Sequence, residues 1–242
     1  MYKFAGMKGL TIKIFSAENT PRLRYIADLL LNEILGLECE IVTDRRRLGK
    51  FPVINYSNIN IPGSFRVRPV PLLFETGVRQ QDLTVRTWRG LPVFFGSSAD
   101  ADLPFDIFAA SFYLVSRYEE YLKFTPDQYG RFRSADSAAL INGFHDIPVV
   151  DFWTREMANS LVRKFQILTF RRNEYRALVT FDIDEPFAYL GKNFIGNISG
   201  FLHDMTTKSG KPGKRLGCLT QGEKDPFEVF DYMTRSAERN NS

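Results

Sequence analysis

Between Leu10 and Val42 the hydrophobic period changes twice, and this change restricts the class of fold open to the chain. Leu10, Ile12 and Ile14 alternate with Thr11, Lys13 and Phe15, the period-two pattern of a strand. Thr20-Pro21 then supplies an N-cap hydroxyl and a first-turn proline. Leu23, Ile26, Ala27, Leu30 and Ile34 form one helical stripe, with Gly36 placed to end it. Leu37 to Val42 returns to strand composition. Strand, helix, strand in so short a span is an α/β unit, and parallel strands would require a right-handed crossover. The fold class expected is therefore α/β.

Short strands and turns should follow. Pro52–Asn55, Phe65–Val70, Leu83–Trp88 and Val93–Phe95 are the candidates, separated by prolines and glycines, and their pairing is not assigned by pattern alone. Arg45-Arg46-Arg47 reads as a solvated loop. The strongest helical pattern covers Leu103–Leu122. Asp102, Pro104 and Asp106 suit its first turn, and Phe105, Phe108, Phe112, Val115 and Leu122 share a face. With Ile107, Ala110 and Leu114 widening that face, the helix should be buried on more than one side. The chain has 22 phenylalanines, so its core should be rich in aromatic rings. Arg117 and Glu120 read as a structural ion pair at the polar end of this helix.

Phe124–Ile147 is loop-like, and its His145 reads as a surface or hydrogen-bonding residue. Asp151 is expected to cap a helix carrying Trp153, Met157, Leu161 and Phe165. Arg171-Arg172-Asn173 looks like a boundary. Two parts are expected, an N-terminal α/β domain over 1–172 and a second part over 173–242. In the second part, Phe194–Met205 should be partly helical, Thr206–Arg215 a basic mobile loop, and Asp225-Pro226 the start of a last helix.

Several function classes are disfavoured at this stage. The net charge of +4 comes from 32 basic and 28 acidic residues, too mild an excess to argue for nucleic acid. Cys39 and Cys218 are far apart and outside any CxxC spacing, which argues against a disulfide framework or a cysteine zinc site. No apolar run is long enough for a membrane span, and Met1–Met7 lacks the apolar centre of a signal peptide. A cytoplasmic protein, or one peripheral to the cell envelope, is expected. The loop at Gly210-Lys-Pro-Gly-Lys-Arg215 lacks the spacing and hydroxyl of a phosphate-cradling GxxxxGK[ST] motif.

The stretch that carries chemistry is Ala177-Leu-Val-Thr-Phe-Asp-Ile-Asp-Glu-Pro186. Ala177–Phe181 has the length and composition of a buried strand, and residues two apart on a strand share a face. Asp182 and Asp184 would then project together from its carboxyl end, where open α/β sheets and β/α barrels keep their sites. The plain alternative is an acidic turn and helix cap. Closely spaced aspartates after such a strand serve metal-dependent hydrolases, or sugar-nucleotide transferases that hold a divalent cation on Asp-x-Asp. A chitinase-type glycosidase needs Asp-x-Asp-x-Glu, which Glu185 misses by one position. An Asp-x-Asp-x-Thr phosphatase fails at Pro186. Hydrolase and transferase both remain open on the residues alone.

Thr180-Phe-Asp-Ile-Asp184 resembles the opening Thr-Phe-Asp-Asp motif of the polysaccharide deacetylase (NodB-like) family. The wider pattern resembles a branch seen in Bacteroidetes-type bacteria, in which an uncharacterised N-terminal domain precedes the deacetylase barrel. It is carried by Leu103–Leu122, Asp127–Phe132, Pro148–Trp153 and Lys224–Phe227. The resemblance implies an N-terminal α/β domain followed by the first part of a (β/α) deacetylase-type barrel. It implies Asp182 as catalytic base, Asp184 as metal ligand, and an acetylated envelope polysaccharide as substrate. The implied metal is zinc, with cobalt or nickel as alternatives. Ile183 departs from the family by standing where the second Asp of the motif belongs. The family completes its site with a His-x-x-x-His pair and a further acidic His, whereas this chain has only His145 and His203. The expectation is therefore a truncated barrel, with the metal held in a full-length parent and not tightly here. Two other readings stand beside it: a glycan- or protein-binding module, with Tyr113, Tyr118 or Trp153 stacking on sugars, and the Asp-x-Asp transferase.

Overall fold

The computed structural model describes residues 11–168, 170, 178–207 and 211–240. The chain divides into two compact units, Met1–Arg172 and Asn173–Ser242. The protein is mixed α/β.

In the first unit, β1 (Ile12–Ser16), β2 (Cys39–Val42), β3 (Val53–Tyr56) and β4 (Phe65–Arg66) form a parallel sheet in the order β2-β1-β3-β4. All five residues of β1 are buried, because β1 is flanked on both sides and covered on both faces. Its alternation sorts side chains between two cores. Ile12 and Ile14 join the main core, whereas Phe15 joins a smaller cluster with Val42, Leu48 and Val53. Lys13 is tolerated in a central strand because its Nζ donates to the Arg47 carbonyl, pairs with Glu40 and lies over the Phe51 ring. A second sheet is a hairpin of β5 (Arg86–Trp88) and β6 (Leu91–Val93).

The helix α1 (Pro21–Ala27) starts as its sequence requires. Pro21 occupies the first turn, and the Thr20 hydroxyl accepts from the Leu23 amide at 3.2 Å while donating to the Leu73 carbonyl at 2.7 Å. It runs on as a π-helix over Asp28–Ile34 and ends before Gly36, which has φ 69°. Leu23, Ile26, Ala27 and Leu30 are all buried.

The helix expected over Leu103–Leu122 is shorter. As α2 it covers Ile107–Val115, and a separate 3-10 turn holds Tyr118–Tyr121. Long-range pairing at its start and a backbone break at its end shorten it. Phe105 is paired to Gly96 in a β-bridge, and Asp102 is engaged by the Arg66 amide at 2.6 Å and by Lys164 at 2.8 Å. Asp106 alone is the N-cap. At the other end Arg117 takes the left-handed conformation, φ 52°, and breaks the helix. What remains is apolar all round and buried on more than one side, as its composition requires.

Asp106 also has a part that no periodicity reveals. Its carboxyl, 0% exposed, accepts from the Tyr56 hydroxyl at 2.7 Å, the Val70 amide at 2.8 Å and the Ala109 amide at 3.0 Å. One side chain thus ties the end of β3, the segment after β4 and the start of α2. Tyr56 stacks on Phe74 and meets Phe108 edge-on, so the carboxyl ends of the strands are filled by the protein's own rings. Around it, α4 (Val149–Lys164) buries Trp153, Met157 and Leu161, with Trp153 Nε1 donating to the Pro92 carbonyl at 3.0 Å. Asp151 lies inside the first turn of α4 and Pro148 holds the cap position, so the expected Asp151 cap is not formed.

The second unit contains α5 (Phe194–Thr206), α6 (Pro212–Thr220) and α7 (Phe230–Asn240), and no strand among its described residues. The basic stretch expected as a loop enters α6, because Pro212 is well suited to a first helical turn. Asp225 does not open a helix. Its carboxylate, 2% exposed, accepts from the amides of Ala188, Tyr189, Leu190 and Phe227 at 2.8–3.1 Å. Burial acts to raise its pKa, but these amides outweigh it and hold the carboxyl below the usual range. The proposed boundary at Arg171-Arg172-Asn173 lies outside the described residues.

Two outcomes follow from the Asp106 network. Asp106→Ala leaves a buried hydroxyl and two amides unpaired and should cost about 3 kcal/mol or more in urea unfolding. Burial lifts the Asp106 pKa to about 6, above the ordinary range of a carboxyl, although the donors around it act to lower it. A folded-state pKa above the unfolded one gives stability that is present below pH about 4 and lost as pH rises through about 6. The stability of the wild type relative to Asp106→Asn should therefore fall by about 3 kcal/mol between pH 4 and 7. A difference that stays flat with pH would contradict the assignment.

Candidate functional site

The strand expected across Ala177–Phe181 is not formed over 178–181, and Ala177 lies outside the described residues. A parallel strand needs neighbours to take its amides and carbonyls, and among the described residues none runs beside this segment. Leu178 is 87% exposed, and Phe181 and Ile183 are also exposed, the reverse of a buried strand. Asp182 and Asp184 are exposed as well, and among the described residues neither has a hydrogen-bond or ion-pair partner. Nothing in the backbone here holds the two carboxylates on one face.

Within the second unit, His203 does not join them. His203 lies on α5 beside a small cavity shared with Asp204, Lys211 and Lys214. Asp204 is already paired with Arg215 at 2.7 Å, and the lysines make the surroundings repulsive to a cation. His145 belongs to the first unit and is exposed. Among the described residues no group of three or more His, Cys, Asp and Glu could hold a metal ion. Zinc prefers three or four such donors, with imidazole or thiolate among them, so the donors described do not fit the metal that the family resemblance implies. The thiols do not change this: burial pushes Cys39 up to about 11, with Asp28 adding to the effect, so it stays protonated at neutral pH.

The more developed concavity is in the first unit. One cavity of ≈ 540 Å³ is lined by the end of α2, the Tyr118–Tyr121 turn and the segments around Ser134 and His145. A second, of ≈ 440 Å³, adjoins it. Tyr113, Glu119 and Phe132 line both, so the two cavities of this cleft share a wall. Glu119 fixes that wall by accepting the Ala138 amide at 2.9 Å, which ties the Tyr118–Tyr121 turn to α3 (Ala138–Ile141). Arg117 and Glu120 form the expected ion pair, and both line the first cavity. Left-handed backbone at a non-glycine residue costs about 1 kcal/mol, and at Arg117 it directs the chain into the turn that carries Glu119 and Glu120.

The aromatic residues considered for sugar stacking do not present their faces to solvent. Trp153 packs against Phe105 and Phe94, and Tyr118 is buried, its hydroxyl accepting from the Arg79 amide at 2.9 Å. They are core residues. Tyr113 is different at its tip. The ring packs against Phe94 and Tyr118 and is 2% exposed, yet among the described residues its hydroxyl has no hydrogen-bond partner. Burial raises its pKa well above the usual value, with Glu119 and Tyr118 adding to the effect, so the group is a neutral O–H. The sequence marks Tyr113 only as one polar-tipped ring in an otherwise apolar helix. The cleft itself is invisible there, because its walls come from four separate loops and turns.

No curated protein and no solved structure matches the chain. Residues 12–166 match the model of a family described as a family of unknown function (DUF7033). That match covers more than half of the 242 residues, and the chain belongs to this family.

Proposed function

We propose that the chain is the N-terminal portion of a metal-dependent polysaccharide deacetylase, and that it contributes the aspartate half of a centre it does not complete. The observation that carries this reading is Thr180-Phe-Asp-Ile-Asp184, with two carboxylates that are exposed and, among the described residues, unpaired. A carboxylate already locked in an ion pair has its lone pairs and charge engaged; Asp182 and Asp184 do not. In this reading Asp182 is the proton acceptor and Asp184 a metal ligand. The imidazoles of the centre come from outside the described residues. The substrate is an acetylated envelope glycan.

The second unit supports the same reading by what it exposes. On α5, Ile195, Ile198, Leu202 and Met205 recur at helical spacing and are all exposed. On the outside of a β/α barrel such a face packs against strands. The family resemblance supplies the strands it would cover.

Two measurements test this. Saturating zinc, cobalt or nickel should leave the unfolding midpoint of this chain unchanged, with no difference between wild type and Asp184→Ala. A metal-induced rise lost in Asp184→Ala would show a complete site instead. The parent polypeptide should release acetate from chitohexaose or another acetylated oligosaccharide, and Asp182→Asn should slow it by about 100-fold or more. The chain as given should release none. Acetate release by this chain that depends on Asp182 would overturn the incompleteness, and an inactive parent would overturn the deacetylase reading.

A further inference from the structure

We infer that a third cavity of the first unit, walled by Arg86, Phe95, Gly96 and Ser97, is a binding site for a small carboxylate-bearing molecule. It measures ≈ 390 Å³ and shares no lining residue with the cleft at the far end of α2. The inference does not rest on the deacetylase reading.

The first observation is the Ser97 hydroxyl. Its Oγ is closed off from water and has no hydrogen-bond partner among the described residues. Solvent cannot satisfy a group it does not reach, and native proteins rarely leave such a hydroxyl orphaned. Ser97 is nevertheless part-exposed as a residue and lines the cavity, so the hydroxyl lies just beneath the cavity wall. The second is the backbone that brings Ser97 there. Phe95 is left-handed, φ 60°, which is uncommon for a bulky residue. The turn is held on both sides: the Phe95 carbonyl accepts from the Asp106 amide at 2.9 Å, and the Ser97 amide donates to the Pro104 carbonyl at 2.8 Å. Strain fixed in this way by its surroundings gathers at ligand sites. The third is Arg86 on β5. Its guanidinium lies against Gly96, where a side-chain Cβ would meet Nη1 at 3.6 Å, and among the described residues it has no ion pair or hydrogen bond.

The lining selects the ligand. One guanidinium edge carries two parallel N–H groups, which match the two oxygens of one carboxylate. Among the described residues Arg86 is the only Lys or Arg in the lining, and Asp82 lies in the same wall. Asp82 Oδ1 accepts from the Thr84 amide at 3.1 Å and the Thr84 hydroxyl at 2.8 Å, and it does not pair with Arg86. A phosphate dianion would meet that acid with no second cation to balance it. A monoanion needs only Arg86. Val70 and Pro71 give the cavity an apolar side for a short hydrocarbon body, and its volume lies in the small-molecule range.

The test titrates the whole chain with isovalerate, phenylacetate, N-acetylalanine and succinate, read by saturation-transfer NMR. Isovaleramide and phenylacetamide serve as uncharged counterparts, and inorganic phosphate as the competing anion. Saturable binding of at least one carboxylate is expected, with the amides weaker by about ten-fold or more. Arg86→Gln, an exposed change, should weaken binding by about ten-fold or more, and Arg86→Lys, which keeps the charge and loses the fork, by less. Ser97→Ala should weaken it by about three-fold or more, with the melting temperature unchanged or raised, because the hydroxyl has no protein partner to lose. No binding by any carboxylate, equal binding of the amides, or binding indifferent to Arg86→Gln overturns the site. Phosphate binding tighter than every carboxylate overturns the ligand class. Ser97→Ala melting lower with affinity intact would give the hydroxyl a structural role and overturn the inference as well.

Discussion

The first unit depends on one buried carboxyl. Asp106 is charged chemistry placed among Phe105, Ile107 and Phe108, and burying it is tolerable only because Tyr56, Val70 and Ala109 all donate to it. Those three partners come from β3, the segment beyond β4 and the first turn of α2. The same atoms therefore cap the central helix, close the crossover from the sheet and fill the carboxyl ends of the strands. In open α/β sheets that end is where ligands commonly sit. Here Tyr56 and Phe74 occupy it, and the open concavity lies instead at the far end of α2, where Arg117 turns the chain.

What the sequence disclosed, and what it hid, divides along the range of the interactions. The α/β class was legible because period-two and period-3.6 patterns are local. Thr20-Pro21 starts α1 through atoms within three residues of one another. The true start of α2 was not legible, because the choice among Asp102, Pro104 and Asp106 is made by distant partners: Arg66 and Lys164 take Asp102, and Gly96 takes Phe105. Asp151 and Asp225 misled in the same way. An acid near a proline reads as a cap, yet Asp151 sits within the first turn of α4, and Asp225 gathers amides from a segment more than thirty residues away.

The candidate site shows the same limit more sharply. The apolar run before Asp182 has strand composition, but composition cannot supply the neighbouring strands that make one. Over 178–184 the chain has no regular structure among the described residues, and its apolar side chains face solvent. The cleft was unreadable for the opposite reason, since no single stretch contains it. Tyr113, Glu119, Phe132 and His145 meet only once α2, two short helical turns and the entry to α4 are folded together. Membership of a family of unknown function covers this first unit and leaves the aspartates outside the matched residues.

The central claim is a contrast within one chain: a well-packed first unit whose sheet is closed by Asp106, and an aspartate motif that strand pairing does not organise here. Hydrogen exchange followed by peptide mass spectrometry tests it most directly. The amides of Val53–Tyr56 lie between two parallel neighbours and should resist exchange up to global unfolding. Those of 178–184 donate to no partner among the described residues and should exchange within seconds. Protection over 178–184 comparable to that of β3 would mean that the strand is formed and paired, and would contradict the account.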